Sequence, residues 1–497
     1  MACFRKVLAR QPDHADAHYN LGNALQMLGQ RNEAISHYRQ ALALKPDIAG
    51  LHSNLGNALH SQGRLDEAIA HYRQALVFEP DSASVHSNLL LTLQNLETCS
   101  AEELFQEHLR YAQSFEAPLK PFWQPHGNNR DPARRLKLGY VSGDFRRHVV
   151  ANFFEPILAC HDKSQFELFG YYNNTQHDSY TERIAAKMDH FSSCIHLTDD
   201  QLAAQIRADG IDILVDLSGH TSENRLPVFA RKPAPVQVNY IGYPGSTGLS
   251  AMDYRISDPW QDPVGQTERY HSETLVRLPG GMAFAPEPEA PEVNALPALT
   301  SGEFTMASLN NLSKVNPAVV NLWARILHAL PQAKLMLGNV TDSGIQERLT
   351  GLFGQAGIGP GRLILQPRLS VADYLTAHHQ IDLALDPFPY NGGTTTMHSL
   401  WMGVPVITLA GDHAVSRLCA AHLSRVGLDE FITHNEDEYL QCALRFAHDL
   451  PKLNAVRQSL RARMTASECD PAAITRQLEA AYHEMWRTWC NLPIHNR

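Results

Sequence analysis

A period of 34 residues runs through the first hundred positions and constrains the fold more than any other feature of the chain. His18, His52 and His86 recur at this interval, as do Asn20, Asn54 and Asn88, and Leu21, Leu55 and Leu89. Gly29 pairs with Gly63, Ala34 with Ala68, Tyr38 with Tyr72, and Pro46-Asp47 with Pro80-Asp81. Within a unit, HxNLGNAL predicts one amphipathic helix, the glycine a turn, and EAIxHYRQAL a second helix that stops before the Pro-Asp step. Gly22, Ala24 and Ala34 are small enough to let the two helices approach, and Tyr38 fills the gap above them.

This period and its small/aromatic pattern resemble the tetratricopeptide repeat. Phe4, Arg5, Leu8, Pro12 and Asp13 align with Tyr38, Arg39, Leu42, Pro46 and Asp47, so the chain begins inside the second helix of a unit. Either upstream residues are missing or Met1 is a late start. The column Asn20, Asn54, Asn88 has two readings: bonds to a neighbouring turn, or a row of amides that holds an extended peptide by its backbone along the repeat groove. After Asn95 the pattern decays. CSAEELFQEHLRYAQSF predicts one more helix, with Ser100 as N-cap and Glu103 in a capping box. Proline-rich sequence follows, giving repeats over 1–117 and a linker over 118–135.

A chain of 497 residues exceeds one hydrophobic core, so about three domains are expected. The formal charge of −10 gives no electrostatic case for nucleic acid or an anionic membrane. Eight scattered cysteines without a C-x-x-C pair argue against a zinc finger or a disulfide framework and suit the cytoplasm. No apolar run is long enough to span a membrane. His378-His379 is the only adjacent pair among the histidines and reads as helix surface.

From Leu136 the chain alternates apolar strands and amphipathic helices, which predicts doubly wound parallel sheets. LKLGYV, FELFGYY, IDILVDL and VQVNYI are the strands of a first domain over 136–285. His148, His220 and the loop from Gly242 to Gly248 fall at their carboxyl ends, where such sheets bind ligands. APEPEAPEVNALPALTSG, which follows Phe284, reads as a linker, with bounds 286–302. A second sheet domain, 303–470, carries KLMLGN, RLILQP, IDLALD and VPVITL, and a terminal helix lies in 471–497. Two such sheets facing a cleft suggest a nucleotide site. In the stretch 381–409, two glycines and three threonines stand between strand and helix. A helix N-terminus there offers free N–H groups and a positive dipole end, so Gly393 to Thr396 is a candidate phosphate seat, against an ordinary turn with Thr as N-cap.

GYVSGDFRRH (139–148), RKPAPVQVNYIGYPGSTG (231–248), NNLSKVNP (310–317) and PYNGGTTTMHSLWMGVPVIT (389–408), after a repeat region, resemble the O-linked N-acetylglucosamine transferases. Those are GT-B glycosyltransferases that use UDP-sugars, and the few repeats look like a bacterial member. The resemblance implies that His148 lies near the sugar as a base or acceptor-orienting group, that Lys314 contacts the UDP diphosphate with Asn311 beside it, and that the loop of Thr394, Thr395 and Thr396 holds the phosphates. It implies that Gly242 and Pro244 lie beside the sugar and Tyr390 at the pocket wall near the N-acetyl group. Two positions depart from the pattern. His398 stands where the animal enzymes have a ribose-binding Asp, and Gly393 replaces a histidine.

The activity this implies is inverting transfer of N-acetylglucosamine from UDP-GlcNAc to Ser/Thr hydroxyls of polypeptides. No D-x-D metal loop is present, so no cofactor and no metal are expected; Lys314 and the amides at Thr394 to Thr396 would supply fixed positive charge instead. His148 is the first candidate to accept the hydroxyl proton, with a donor phosphate oxygen as its rival. His220 reads as a loop hydrogen-bonder and Asp144 as a turn or N-cap residue, while Arg417 and His413 approach the nucleotide from the following loop or not at all. The alternatives are a UDP-sugar transferase with a non-protein acceptor or another donor, a degenerate repeat adaptor, and a UDP-sugar epimerase.

Overall fold

The computed structural model describes residues 1–493. Helical repeats are followed by two parallel-sheet α/β domains, the GT-B arrangement. The chain divides into two compact units: Met1–Cys99 with Pro286–Met464, and Ser100–Ala285 with Thr465 onward.

In the first unit the repeats form helix pairs Ala15–Met27 with Arg31–Leu44 and Ala49–Ser61 with Leu65–Phe78, preceded by Ala2–Arg10 and followed by Ala83–Leu93. The chain turns at Gly29 and Gly63 with φ of 75° and 73°, a conformation that disfavours any residue with a Cβ. Gly22 and Gly56 are required by packing: a Cβ at either would come within 2.6 Å of the Tyr38 or Tyr72 ring.

The second unit holds strands β1 (Leu136–Ser142), β2 (Phe166–Tyr172), β3 (His190–Ser193), β4 (Ile213–Asp216), β5 (Val236–Asn239), β6 (Tyr254–Ser257) and β7 (Thr274–Arg277). They pair in parallel in the order β3-β2-β1-β4-β5-β6-β7. In the first unit β8 (Thr305–Ser308), β9 (Lys334–Leu337), β10 (Leu363–Leu365), β11 (Leu383–Leu385), β12 (Val406–Leu409) and β13 (Ile432–Thr433) pair in parallel as β10-β9-β8-β11-β12-β13. The order reverses direction at β1/β4 and at β8/β11. That opens a crevice at the carboxyl end of each pair.

Helix Ala101–Phe115 carries its capping box at Ser100 and Glu103 and belongs to the second unit. Its His108 lies 2.8 Å from the Tyr243 hydroxyl. The segment after it is tied down too: Trp123 donates to the Ala230 carbonyl, and Arg134 pairs with buried Asp212. The 286–302 stretch contains a short helix, Ala298–Ser301, and Arg457 grips the backbone of Asn294. The terminal helix spans Pro471–Asn491, and 494–497 lie outside the described residues. It buries Ile474, Leu478, Tyr482 and Trp486 in the core of the β1–β7 sheet. Among the described residues no helix is long and apolar enough to cross a membrane.

Candidate active site

In the first unit the chain leaves β11 at Asp386, a fully buried carboxylate that organises the loop after it. Its Oδ1 accepts the Gly392 N–H at 2.7 Å, and its Oδ2 accepts the Thr408 hydroxyl of β12 at 2.8 Å. Asn391 closes the loop by donating from Nδ2 to the Pro387 carbonyl. Gly392 admits no side chain, since a Cβ would lie 2.7 to 3.0 Å from the hydroxyls of Thr396 and Thr395 and from Asn310. At Gly393 a Cβ would meet nothing within 4 Å, so the position that departs from the family histidine is open space.

Helix Thr394–Trp401 begins at the threonines. Helical geometry leaves the N–H groups of Thr394, Thr395 and Thr396 without intrahelical acceptors. Two hydroxyls are engaged: Thr395 donates to Asn310 Oδ1 at 2.7 Å, and Thr396 to the Gly392 carbonyl at 3.0 Å. The Thr394 hydroxyl is buried with no protein partner. His398, one turn on, is half-buried with its ring edge-on to Tyr374, and burial pushes its imidazole down to about 4, so it is neutral at pH 7.

Lys314 reaches this loop from the 3₁₀ turn Leu312–Lys314 after β8. Its Nζ donates to the Asn391 carbonyl at 2.8 Å and lies 4.1 Å from the centroid of the Tyr390 ring. Burial holds the ammonium below the ordinary lysine value, and Asp386 opposes that shift as the nearest negative charge. Burial likewise raises the Asp386 carboxyl. Asn311 is exposed and caps the turn by accepting the Ser313 N–H. The structure thus brings Lys314, Tyr390 and the threonine loop together. Arg417 turns back to the Gly411 carbonyl at 2.7 Å, and His413 caps the turn before it.

In the second unit β1, β4 and β5 are neighbours, so the loops following them share one edge of the sheet. His148 is the N-cap of helix Val149–Cys160. Its Nδ1 lies 3.3 Å from both the Val150 N–H and Asp144 Oδ1. Burial, reinforced by Arg146, lowers His148 to about 4; burial raises Asp144 to about 6. The loop after β5 holds Gly242, where a Cβ would strike the Leu217 carbonyl, and buried Pro244. His220 is fully buried, with Nε2 3.0 Å from the Thr247 carbonyl and its ring among His108, Tyr111 and Tyr243. Those contacts are structural. Glu116 fixes the end of the same loop by accepting from the Ser250 N–H and hydroxyl and the Ala251 N–H.

Two of the repeated asparagines, Asn54 and Asn88, bond to the preceding unit of the array, and Asn20 bonds within its own helix. Asn54 donates to Asn23 and to the Tyr19 hydroxyl, Asn88 donates to Asn57, and Asn20 donates to the Asp16 carbonyl. All of these bonds use Nδ2 and leave the amide oxygens as acceptors. Asn310 and Glu116 escaped sequence reading because each acts on a partner distant along the chain; Asp386 acts on its own loop and the next strand. A signal for Asp386 was its place at the end of an apolar strand, where a carboxylate needs local donors. Among the described residues no three His, Cys, Asp or Glu side chains are grouped to hold a metal ion.

A family model described as glycosyl transferase family 41 matches residues 117–284 and 297–475, and tetratricopeptide-repeat models match 15–48 and 56–96. A probable UDP-N-acetylglucosamine–peptide N-acetylglucosaminyltransferase SPINDLY of Petunia hybrida is 37% identical over 411 residues, covering 81% of this chain and 44% of the relative. The Arabidopsis thaliana protein of the same description named SEC is 30% identical over 388 residues, covering 75% and 40%. The chain therefore spans less than half the length of these curated relatives. A solved point mutant of the Thermobaculum terrenum O-GlcNAc transferase is 36% identical with a TM-score of 0.92, covering 98% of this chain and 93% of that one.

Proposed function

We propose that this chain, which belongs to glycosyl transferase family 41, moves N-acetylglucosamine from UDP-N-acetylglucosamine to Ser or Thr hydroxyls of polypeptides, with inversion and without a metal ion. The observation that carries the reading is the meeting of the Lys314 ammonium with the loop that ends in the free N–H groups of Thr394 to Thr396. The relatives named for this activity add to it.

In this reading the diphosphate sits between Lys314 and the first turn of the threonine helix, and Thr394 supplies a further hydroxyl donor. As the sugar–phosphate bond breaks, negative charge grows on the β-phosphate. A fixed ammonium and preoriented N–H groups stabilise it with little reorganisation. Asn311 flanks the phosphates, neutral His398 hydrogen-bonds a ribose hydroxyl, and Tyr390 walls the pocket while bracing Lys314. Gly242 and Pro244 border the sugar. The acceptor oxygen attacks the anomeric carbon from the face opposite the leaving UDP, and His148 takes its proton. The acceptor peptide lies along Asn20, Asn54 and Asn88, whose amide oxygens accept its backbone N–H groups. Eight free thiols support a cytoplasmic location.

The test is calorimetry with UDP in the presence of a chelator, followed by transfer assays on a peptide library with UDP-GlcNAc and UDP-glucose. Tight chelator-resistant binding and labelled Ser or Thr support the reading. Binding only with a divalent ion overturns the metal-free mechanism, and transfer only to glycans overturns the peptide acceptor.

A further inference from the structure

We propose that Arg348 is a positioning residue that fixes the Lys314 turn and is itself held in place by the repeat turn at Gly63. The inference rests on the reading of Lys314 as the diphosphate ligand. The turn Leu312–Lys314 is a single 3₁₀ turn, closed by the bonds Lys314 N–H to Asn311 and Val315 N–H to Leu312, at 3.0 and 3.2 Å. One such turn is a weak support for a lysine that must meet a phosphate at a fixed distance. Arg348, from helix Ser343–Gln355, adds the missing constraint. Its Nη2 donates to the Leu312 carbonyl at 2.9 Å and its Nη1 to the Val315 carbonyl at 3.0 Å. The planar fork therefore spans the two carbonyls that bracket Lys314, a geometry that a lysine in place of Arg348 could not reproduce.

The other side of the guanidinium faces the repeats. A Cβ at Gly63 would lie 3.1 Å from Nη2, 3.2 Å from Cζ and 3.3 Å from Nη1 of Arg348. The preceding repeat ties down the start of the same helix: Arg31 donates to the Thr341 hydroxyl at 2.9 Å and to Asp342, its N-cap, at 3.2 Å. The array that would deliver the acceptor and the turn that would hold the donor's diphosphate thus share one guanidinium.

The repeat supplies its own control. Gly29 occupies the same turn one unit earlier with φ of 75°, against 73° at Gly63, but a Cβ there meets nothing within 4 Å. Both Gly→Ala changes force a Cβ into the left-handed region and carry the same backbone strain. Only Gly63→Ala presses on Arg348. UDP binding by calorimetry and thermal midpoint are measured for the wild type, Gly29→Ala, Gly63→Ala, Arg348→Lys and the Gly63→Ala/Arg348→Lys pair. The proposal expects similar losses of thermal midpoint in the two alanine variants. It expects UDP affinity to fall roughly fivefold or more in Gly63→Ala and to stay within about twofold in Gly29→Ala, as for residues in contact and residues apart. Arg348→Lys weakens UDP by itself, and adding Gly63→Ala to it weakens UDP little further. Equal effects of the two alanines on UDP affinity, or additive losses in the pair, overturn the proposal while leaving the nucleotide site standing. A wild type that binds no UDP overturns both.

Discussion

Lys314 lies 4.1 Å from the centroid of the Tyr390 ring while its Nζ donates to the carbonyl of the next residue, Asn391, at 2.8 Å. The ammonium is therefore aimed by the loop that leads into the threonine helix, before any ligand arrives. Preorganisation of this kind is what makes a single charge effective on a phosphate. Replacing it with Met removes the charge and keeps the stem. Lys314→Met is expected to weaken UDP by roughly 10- to 100-fold, the size of a lost charge-assisted hydrogen bond. Calorimetry at neutral pH reads this directly, with circular dichroism to confirm that the fold survives.

The same geometry sets a pH dependence. Burial holds the Lys314 ammonium below its ordinary value, so the free site loses this charge earlier than an exposed lysine near 10.4. A group whose pKa is lowered is charged only below that lowered value. UDP affinity is therefore expected to decline as pH rises through the mildly alkaline range, and the decline should be missing in Lys314→Met. A flat profile up to pH 10 in the wild type would contradict this assignment of the charge.

Asp386 is tied to the same lysine by charge and to Gly392 and Thr408 by hydrogen bonds. Asp386→Asn keeps the shape but removes the negative charge, and its NH₂ group then faces a donor. The variant is expected to lose about 1–3 kcal/mol of stability, read as a lower thermal midpoint. It should also bind UDP more weakly at pH 8 than at pH 6.5, because Lys314 loses the charge that favours its protonation. Unchanged stability would mean that the carboxylate does not organise the loop.

The sequence made some of this legible and hid the rest for physical reasons. The repeats could be read because a 34-residue period places the same small and aromatic residues at the same helix contacts. The threonine helix could be read because Gly393 and Thr394 mark its start and Gly403 its end, and the structure runs it from Thr394 to Trp401. Strands β3, β6, β7 and β13 were not foreseen. HFSS, YRIS and TLVR are short and mixed in polarity, and β13 is a two-residue strand at the sheet edge. Neither the place of helix Ala101–Phe115 in the second unit nor the hold of Arg348 on Leu312 and Val315 could be read, because both depend on partners that no local pattern specifies.

Glu116 offers a test of how the Gly242–Gly248 loop is supported. Its carboxylate is buried and accepts three hydrogen bonds from Ser250 and Ala251, at 3.1, 2.9 and 2.6 Å. Glu116→Ala leaves the buried Ala251 N–H unpaired and is expected to cost about 1–3 kcal/mol. Turnover should fall through a looser Gly242–Gly248 loop, with UDP affinity nearly unchanged because Lys314 is untouched. Calorimetry and initial rates on the same preparation separate the two effects.

To accept a proton at Nε2, neutral His148 must carry its hydrogen on Nδ1, and the acceptor for that hydrogen is Asp144 Oδ1, 3.3 Å away. The Val150 N–H, at the same distance, favours the opposite tautomer. The charge state of Asp144 decides between them. Burial raises Asp144 to about 6 and lowers His148 to about 4. Above pH 6 the carboxylate is ionised and selects the useful tautomer; below it, Asp144 is protonated while His148 is still neutral. Turnover is therefore expected to fall on the acid side with a midpoint near 6 that belongs to Asp144. Asp144→Asn should remove that limb and lower turnover at pH 7.5. His148→Ala should lower turnover by roughly 100-fold or more, with UDP affinity unchanged. Substantial turnover in His148→Ala would instead assign the proton to a donor phosphate oxygen. An acid limb that persists in Asp144→Asn would remove Asp144 from the mechanism.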